Sequence, residues 1–397
     1  MPTPSNRGLR MPYSPIRKLV PYAREATARG IKIYHLNIGQ PDLPTPQKAL
    51  DALKTLDRKT LEYSPSEGFL SLREKITGYY GRFGLDIKPE EIIVTTGGSE
   101  ALQLIFMSCL NPGDEIIIPE PAYANYISFA IAAGLVIKTV TSRIEDGFAL
   151  PPIEEIEAKI GPRTKAILIC NPNNPTGYIY SAEEMEKLRR IVLKNDLFLI
   201  SDEVYREFNF SGQPYVSAMS LKGITNNIIL VDSMSKRYSE CGIRIGNIVT
   251  HNKDVRDVLI KYCQARLSPP LLGQIVAEAS IEGTEVYSKE CFDEYKARRD
   301  FFIDGLNKIP GVHTPMPQGA FYTVVSLPVE DAEDFSRWCL EEFDYEGQTI
   351  MMAPAAGFYT TKGLGQNQVR MAYVLKIEDL KKALEVLEKA LEAYNHR

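Results

Sequence analysis

One lysine stands in a setting suited to covalent chemistry. Ser233-Met234-Ser235-Lys236 comes just past Ile228 to Val231, a short apolar run that reads as a buried strand. Arg244 comes eight residues after the lysine, in Gly242-Ile243-Arg244-Ile245-Gly246. An amine leaving a strand end beside hydroxyls and a guanidinium offers an aldehyde cofactor a Schiff-base partner and its phosphate an anion clamp. A solvated serine-rich loop would use the same residues, so the stretch has to be weighed with the rest of the chain.

Other residues bear chemistry at comparable places. Asp202 ends the run Leu197 to Ser201. It reads either as a helix N-cap or as a carboxylate that keeps a heteroaromatic ring nitrogen protonated. Tyr205, three residues on, shares a face with it if that turn is helical. Asn174 lies in Asn171-Pro172-Asn173-Asn174-Pro175-Thr176-Gly177, directly after the apolar run Ala166 to Cys170; a plain turn would favour the same residues. Gly98 and Ser99, in Gly97-Gly98-Ser99, precede a helix pattern from Glu100 to Cys109, where small residues let an anion meet backbone N–H groups and the helix N-terminus. Tyr123 follows Pro119-Glu120-Pro121 and suits either stacking on a ring or loop packing. Arg370, in Val369-Arg370-Met371-Ala372, sits between apolar residues. A buried arginine needs an anion, either a bound carboxylate or a surface ion pair.

The elements between these residues set their positions. Short, continuously apolar runs alternate with helical segments, which argues for a mostly parallel sheet covered on both faces. Ligands bind outside the carboxyl ends of such strands, so the polar residues just past each run gather at one edge. Ser181 with Glu184 forms a capping box opening a helix to about Lys194. Prolines at 2, 4, 12 and 15 predict an extended N-terminal arm rather than a helix, followed by a helix over 17–28. After Pro270 the chain turns more helical, with a strand at Phe321 to Val325 and an amphipathic helix over 377–394. The predicted organisation is α/β: an arm and joining segment over 1–45, a large cofactor-binding domain over 46–289, and a smaller α+β domain over 290–397.

Composition narrows the classes. With 397 residues, 44% hydrophobic and 24% charged, the chain is an ordinary globular protein. A net charge of −5 with no basic run argues against a nucleic-acid or anionic-membrane partner. Six scattered cysteines, four isolated histidines and no H-E-x-x-H predict a reduced, cytoplasmic protein without a metal. No secretory signal and no membrane-length apolar stretch is expected. There is no G-x-x-x-x-G-K-[ST], no well-placed G-x-G-x-x-G and no G-x-S-x-G, so nucleotide-binding and serine-hydrolase readings lack support.

Taken together, Asn174-Pro175-x-Gly177, Asp202-x-x-Tyr205 and Ser233-x-Ser235-Lys236 with Arg244 resemble the class I/II pyridoxal-phosphate-dependent aminotransferases of fold type I, the aspartate-aminotransferase-like group, from about Tyr34 to Val374. The resemblance implies that Lys236 holds pyridoxal 5′-phosphate as a Schiff base and then moves the substrate proton. It implies Asp202 at the ring nitrogen, Asn174 and Tyr205 at the 3′-oxygen, and Tyr123 stacked on the ring. Gly98, Ser99, Ser233 or Ser235 and Arg244 would bind the phosphate. Tyr63, in Tyr63-Ser64-Pro65-Ser66-Glu67-Gly68, would reach the phosphate of the neighbouring subunit of a homodimer. Arg370 would clamp the α-carboxylate, with Gly39 nearby. The implied activity exchanges an amino group between an L-amino acid and a 2-oxo acid such as 2-oxoglutarate. The position of Ser99 is a lysine in some aspartate-specific relatives, a charge absent here; no side-chain carboxylate ligand is assigned, and Arg266 of the neighbouring subunit is a candidate for one. The expected substrate is therefore aspartate-like only by mild preference. A β-lyase or decarboxylase on the same fold is the alternative, and a non-catalytic effector-binding regulator ranks below it.

Overall fold

The computed structural model describes residues 2–397. Its strands are, in chain order, β1 (Lys32–His35), β2 (Ile92–Thr95), β3 (Glu115–Glu120), β4 (Val136–Thr141), β5 (Thr164–Cys170), β6 (Phe198–Asp202), β7 (Ile228–Ser233), β8 (Gly246–Val249), β9 (Tyr322–Ser326), β10 (Gln348–Met351), β11 (Ala353–Pro354) and β12 (Gln368–Ala372). Seven of them form one sheet in the order β2-β8-β7-β6-β5-β3-β4. Its pairings are parallel except those of β8, which runs antiparallel to both β2 and β7.

The apolar runs become strands because each is buried on both faces. Ile93, Ile116, Ile118, Leu168, Ile200, Ile229 and Val231 point into one core with the helix Gly97–Cys109. Their neighbours Ile92, Val94, Ile117, Ile167, Ile169, Leu199, Ile228 and Leu230 point into another with the helices Leu70–Gly81 and Ala182–Asn195. This period of two, apolar on both sides, is what a sheet with helices on each face requires. The capping box is present: Ser181 and Glu184 satisfy each other's backbone N–H groups at 3.2 and 2.7 Å.

Register then aligns the strand ends. Cys170 pairs with Asp202, Asp202 with Val231, Ser233 with Gly246, and Gly246 with Thr95. The residues that follow β2, β5, β6 and β7 therefore emerge at one edge, as the alternation of runs and helices predicts.

A second group of elements closes over that edge. β9, β12 and β11 form an antiparallel sheet, while β1 pairs in parallel with β10, so the N-terminal segment joins the C-terminal part of the chain. The helix Ile377–Asn395 buries Leu380, Ala383, Leu387 and Leu391 along one face. The helix Glu285–Leu306 runs unbroken through residue 290. No helix among the described residues is long and apolar enough to cross a membrane.

Four local expectations need correction. The arm is not wholly extended: Asn6–Arg10 is helical, capped by the Ser5 hydroxyl at 3.1 Å from the Gly8 N–H. The prolines flank this turn rather than interrupt it, so nothing removes its donors. The next helix starts at Val20, not at 17, because Pro21 is tolerated only in a first turn. The helix expected from Glu100 begins at Gly97, which places Gly98 and Ser99 inside its first turn. Tyr205 lies in a turn after β6 rather than on a helix.

Candidate active site

A cavity of about 690 Å³ opens where the strand ends of the large sheet meet β9 and β12. Gly39, Gly98, Ser99, Tyr123, Asn174, Asp202, Tyr205, Ser233, Ser235, Lys236, Arg244 and Arg370 all line it. The site residues expected from the sequence are therefore on its wall except Arg266 and Tyr63, the latter 77% exposed on its own chain.

Lys236 is carried by Met234–Arg237, a single helical turn that β7 feeds directly. Ser233 caps that turn, its hydroxyl accepting from the Ser235 N–H at 3.2 Å and donating to the Ile245 carbonyl at 3.0 Å. The half-buried ammonium donates to the Gly39 carbonyl at 2.7 Å. Gly39 has to be glycine for space: a Cβ there would lie 2.0 Å from the Tyr322 hydroxyl.

An anion-binding corner lies beside the lysine. Arg244 sits at φ 57°, a left-handed backbone that turns its side chain back towards the sheet edge. Its guanidinium donates to the carbonyls of Cys241 (2.9 Å) and Thr96 (3.5 Å) and reaches the Ser235 hydroxyl at 3.5 Å. A Cβ on Gly97 would come within 2.2 Å of Arg244 Nη2, so glycine at φ +73° is what lets the arginine lie against the first turn of the helix Gly97–Cys109. Free N–H groups of a helix start, a guanidinium and a serine hydroxyl make one compact anion site.

Asp202 ends β6 on the cavity wall and is buried. It accepts from the Tyr126 hydroxyl at 2.6 Å and the Val204 N–H at 3.4 Å, and no lysine or arginine pairs with it among the described residues. Burial pushes its carboxyl up to about 6, against the opposing pull of those hydrogen bonds. A buried carboxylate without a cationic partner is costly unless a ligand brings the positive charge.

Arg370 is the converse. It is 1% exposed, in the middle of β12, and has no carboxylate partner among the described residues. Its guanidinium donates to Asn174 Oδ1 at 3.1 Å and to the Asn37 carbonyl, and its Nε has no partner. The rings of Tyr322 and Phe358 flank it at 4.5 and 5.1 Å. Burial lowers its pKa, the mark of a cation lacking an anion. Asn174 also donates to Tyr205 Oη at 3.5 Å, and Tyr205 shares a 3.1 Å hydrogen bond with Tyr322. One polar chain thus runs from Arg370 through Asn174 and Tyr205 to Tyr322, which in turn donates to Gly39 at 3.3 Å.

Tyr123 begins the helix Ala124–Ala133, packs edge-on against Tyr126, and has its hydroxyl raised to about 12 by burial. Tyr126, Tyr322, Asn37 and Arg17 escaped the sequence reading. Tyr126 had a weak signal, one helical turn after Tyr123, whereas Tyr322 arrives only through the pairing of β9 with β12. Arg266 does not stand free for a substrate: it pairs with Glu100 of its own chain at 2.8 Å and donates to the Ser66 carbonyl at 2.9 Å.

This is an α/β protein whose strand-end lysine faces an anion corner, a carboxylate short of a cation and a buried arginine short of an anion. The family model described as aminotransferase class I and II matches residues 31–387. The chain is 30% identical over 391 residues to an aspartate aminotransferase of Thermotoga maritima (98% of this chain, 99% of that one), and 31% identical over 381 residues to one of Geobacillus stearothermophilus (94% of each). Among solved structures it is similar to the Thermus thermophilus aspartate aminotransferase with maleate (TM-score 0.89, 29% identity, 98% of this chain and 100% of that one). It is also similar to an alanine aminotransferase from Pyrococcus furiosus (TM-score 0.90, 33% identity, 98% and 100%). The chain belongs to the class I and II aminotransferases. It is a pyridoxal-phosphate-dependent transaminase, moving an amino group between an amino acid and a 2-oxo acid. Likeness over nearly the whole chain does not favour the lyase, decarboxylase or regulator readings.

Proposed function

We propose that the cavity binds pyridoxal 5′-phosphate through Lys236 and holds an L-amino acid, aspartate-like by preference, against it, with 2-oxoglutarate as an acceptor. The supporting observation is the complementarity of unpaired charge: Asp202 lacks a cation and Arg370 lacks an anion on one wall. The residues fit the cofactor. Arg244, Ser233, Ser235, Ser99 and the Gly98 N–H suit its phosphate, and Asp202 suits its ring nitrogen. Asn174 and Tyr205 suit its 3′-oxygen, and Tyr123 suits its ring face. When bound, pyridoxal phosphate supplies an electron sink conjugated to the substrate Cα.

The chain's own residues then have distinct tasks. Asp202 would keep the ring nitrogen protonated, because a cation beside the buried carboxylate offsets the desolvation that otherwise raises its proton affinity. Arg370 fixes the α-carboxylate through a two-pronged contact, backed by Asn174 and Asn37. Lys236 would hold the cofactor, and its amine, placed on the cavity wall, would serve as the base that takes the substrate proton and the acid that returns it. Its contact with the Gly39 carbonyl keeps the amine on the cavity wall between those tasks.

Tyr63, exposed on one chain, is proposed to complete the phosphate site of a partner in a homodimer. The protein is proposed to be cytoplasmic. We divide the chain into an N-terminal joining segment to residue 45, a large cofactor-binding domain and a small C-terminal domain. The second boundary moves from residue 290 to the turn before the helix Glu285–Leu306, which a cut at 290 would sever.

The test is a donor panel with 2-oxoglutarate, run on wild type and Lys236→Ala supplied with cofactor. Amino transfer by the wild type and loss of about a thousandfold or more in the variant are expected. Undiminished transfer in Lys236→Ala would exclude the lysine's role.

A further inference from the structure

Four charged side chains are buried away from the cavity. Glu203, Arg206, Asp232 and Arg237 are each 2% exposed or less, and none of them lines the cavity wall. Asp232 is their hub. Its carboxylate pairs with Arg237 and, at 3.3 Å, with Arg206. It also accepts from the Tyr80 hydroxyl at 3.2 Å and the Ser233 N–H at 2.7 Å. Arg206 pairs in turn with Glu203 at 2.9 Å, and the other Glu203 oxygen accepts from the Ser201 and Ser217 hydroxyls and the Ala218 N–H. The Arg237 guanidinium lies 4.1 Å from the Tyr79 ring centre, and Asp232 is the carboxylate it pairs with among the described residues. Two cations thus face two carboxylates, with no net charge.

This network interleaves with the cavity residues along the chain. Ser233 caps the turn Met234–Arg237 that carries Lys236, and Arg237 ends it. One carboxylate therefore grips both ends of that turn, the start through the Ser233 N–H and the end through the Arg237 guanidinium. Glu203 and Arg206 likewise alternate with Asp202 and Tyr205, so the contact of Arg206 with Asp232 ties that segment to the lysine turn. Lys236 turns to the Gly39 carbonyl, whereas Arg237 turns to the face covered by the helix Leu70–Gly81, where Tyr79 lies.

We propose that Asp232 and Arg237 are positioning residues: their pair braces the lysine turn from behind and, with Arg206, sets the place of the Lys236 amine relative to Asp202 and Tyr205. The inference rests on the reading of Lys236 as the covalent partner of the cofactor. A single helical turn has too few hydrogen bonds to hold itself, so its aim has to come from side chains. A hydrophobic pair of similar volume would serve stability equally well, whereas a charged, directional contact also fixes geometry. A displacement of about 1 Å at the reacting amine, caused by a change remote from it, costs about a hundredfold in rate.

The experiment compares wild type with Arg237→Met, Arg237→Lys and the double variant Asp232→Asn/Arg237→Met. Each is measured for urea unfolding, for the rate at which the apoprotein captures saturating pyridoxal phosphate covalently, followed by absorbance, and for kcat and KM. Arg237→Met leaves Asp232 short of a cation, so stability, capture rate and kcat are all expected to fall, the rates about tenfold or more, while KM for the amino donor moves less than about threefold. The double variant removes both charges and is expected to regain stability while its capture rate and kcat stay low. Arg237→Lys keeps the charge without the fork and is expected to lie between wild type and Arg237→Met in both rates, at near wild-type stability. Rates that follow the unfolding midpoint across the four proteins, rather than the presence of the Asp232–Arg237 pair, overturn the proposal, as do unchanged rates in Arg237→Met. Borohydride mapping of wild type keeps the two readings apart. An adduct on another lysine fails the reading of Lys236 itself, whereas an adduct on Lys236 with rates indifferent to Arg237 fails this inference alone.

Discussion

Replacing Asp202 by asparagine should stabilise the cofactor-free protein while disabling the enzyme. The folded protein holds this carboxyl at about 6, against 3.8 when solvated, because the cavity wall desolvates it and no cation offsets the charge. That rise amounts to about 3 kcal/mol of cost for keeping Asp202 ionised in the folded state. The folded state binds the extra proton between about pH 4 and pH 6, so stability falls as pH rises through that window, and the full cost applies above it. Asparagine has nearly the same shape and still accepts from Tyr126 but carries no charge. The apoprotein of Asp202→Asn should therefore gain up to about 3 kcal/mol near pH 8 and about half of that near pH 5. Urea unfolding of the two apoproteins at both pH values measures this. Activity of the loaded variant should drop by orders of magnitude, since the ring nitrogen loses its counter-charge. An apo variant no more stable than wild type near pH 8, or one whose gain is the same at both pH values, would refute the reasoning. It would mean that Asp202 is not held strained for a cationic ligand.

Other substitutions probe separate features. Arg370→Met should lower kcat/KM by about a hundredfold for every amino-acid donor, through loss of a charged hydrogen-bond pair, measured in steady-state kinetics. Gly39→Ala should raise KM and weaken cofactor retention, because its Cβ would meet the Tyr322 hydroxyl at 2.0 Å and displace the carbonyl that holds Lys236; gel-filtered cofactor content reads this. Glu240, buried with one carboxyl oxygen unpartnered and raised to about 8 by burial, should cost the fold increasingly as pH rises from about 5 to 8. Thermal unfolding of Glu240→Gln should show a gain in stability that grows over that range and then levels off.

The site was legible where chemistry follows directly on a buried strand. Asn174, Asp202, Ser233 and Lys236 each come within a few residues of a continuously apolar run, and parallel register brings such ends together without further information. Arg370 was legible for a different reason: an arginine between apolar neighbours announces an unmet need for an anion. Tyr322 and Asn37 were not legible. Their places depend on β9 pairing with β12 and on β1 joining β10, contacts between segments distant in the chain that no local pattern encodes. β8 was missed because four residues after an arginine loop carry too little periodicity to distinguish an antiparallel strand from a turn. Arg17 stood at the start of an expected helix, and only the packing of Pro15 and Ile16 turns that end of the segment towards the cavity.

The most direct test of the account is to trap the cofactor where it is held. Holoenzyme reduced with borohydride, digested and mapped by mass spectrometry should carry the reduced pyridoxyl-phosphate adduct on the peptide containing Lys236, and this adduct should be absent when amino-acid substrate is added first. An adduct on any other lysine, or none on a protein that still transfers amino groups, would contradict the claim that Lys236 is the covalent anchor.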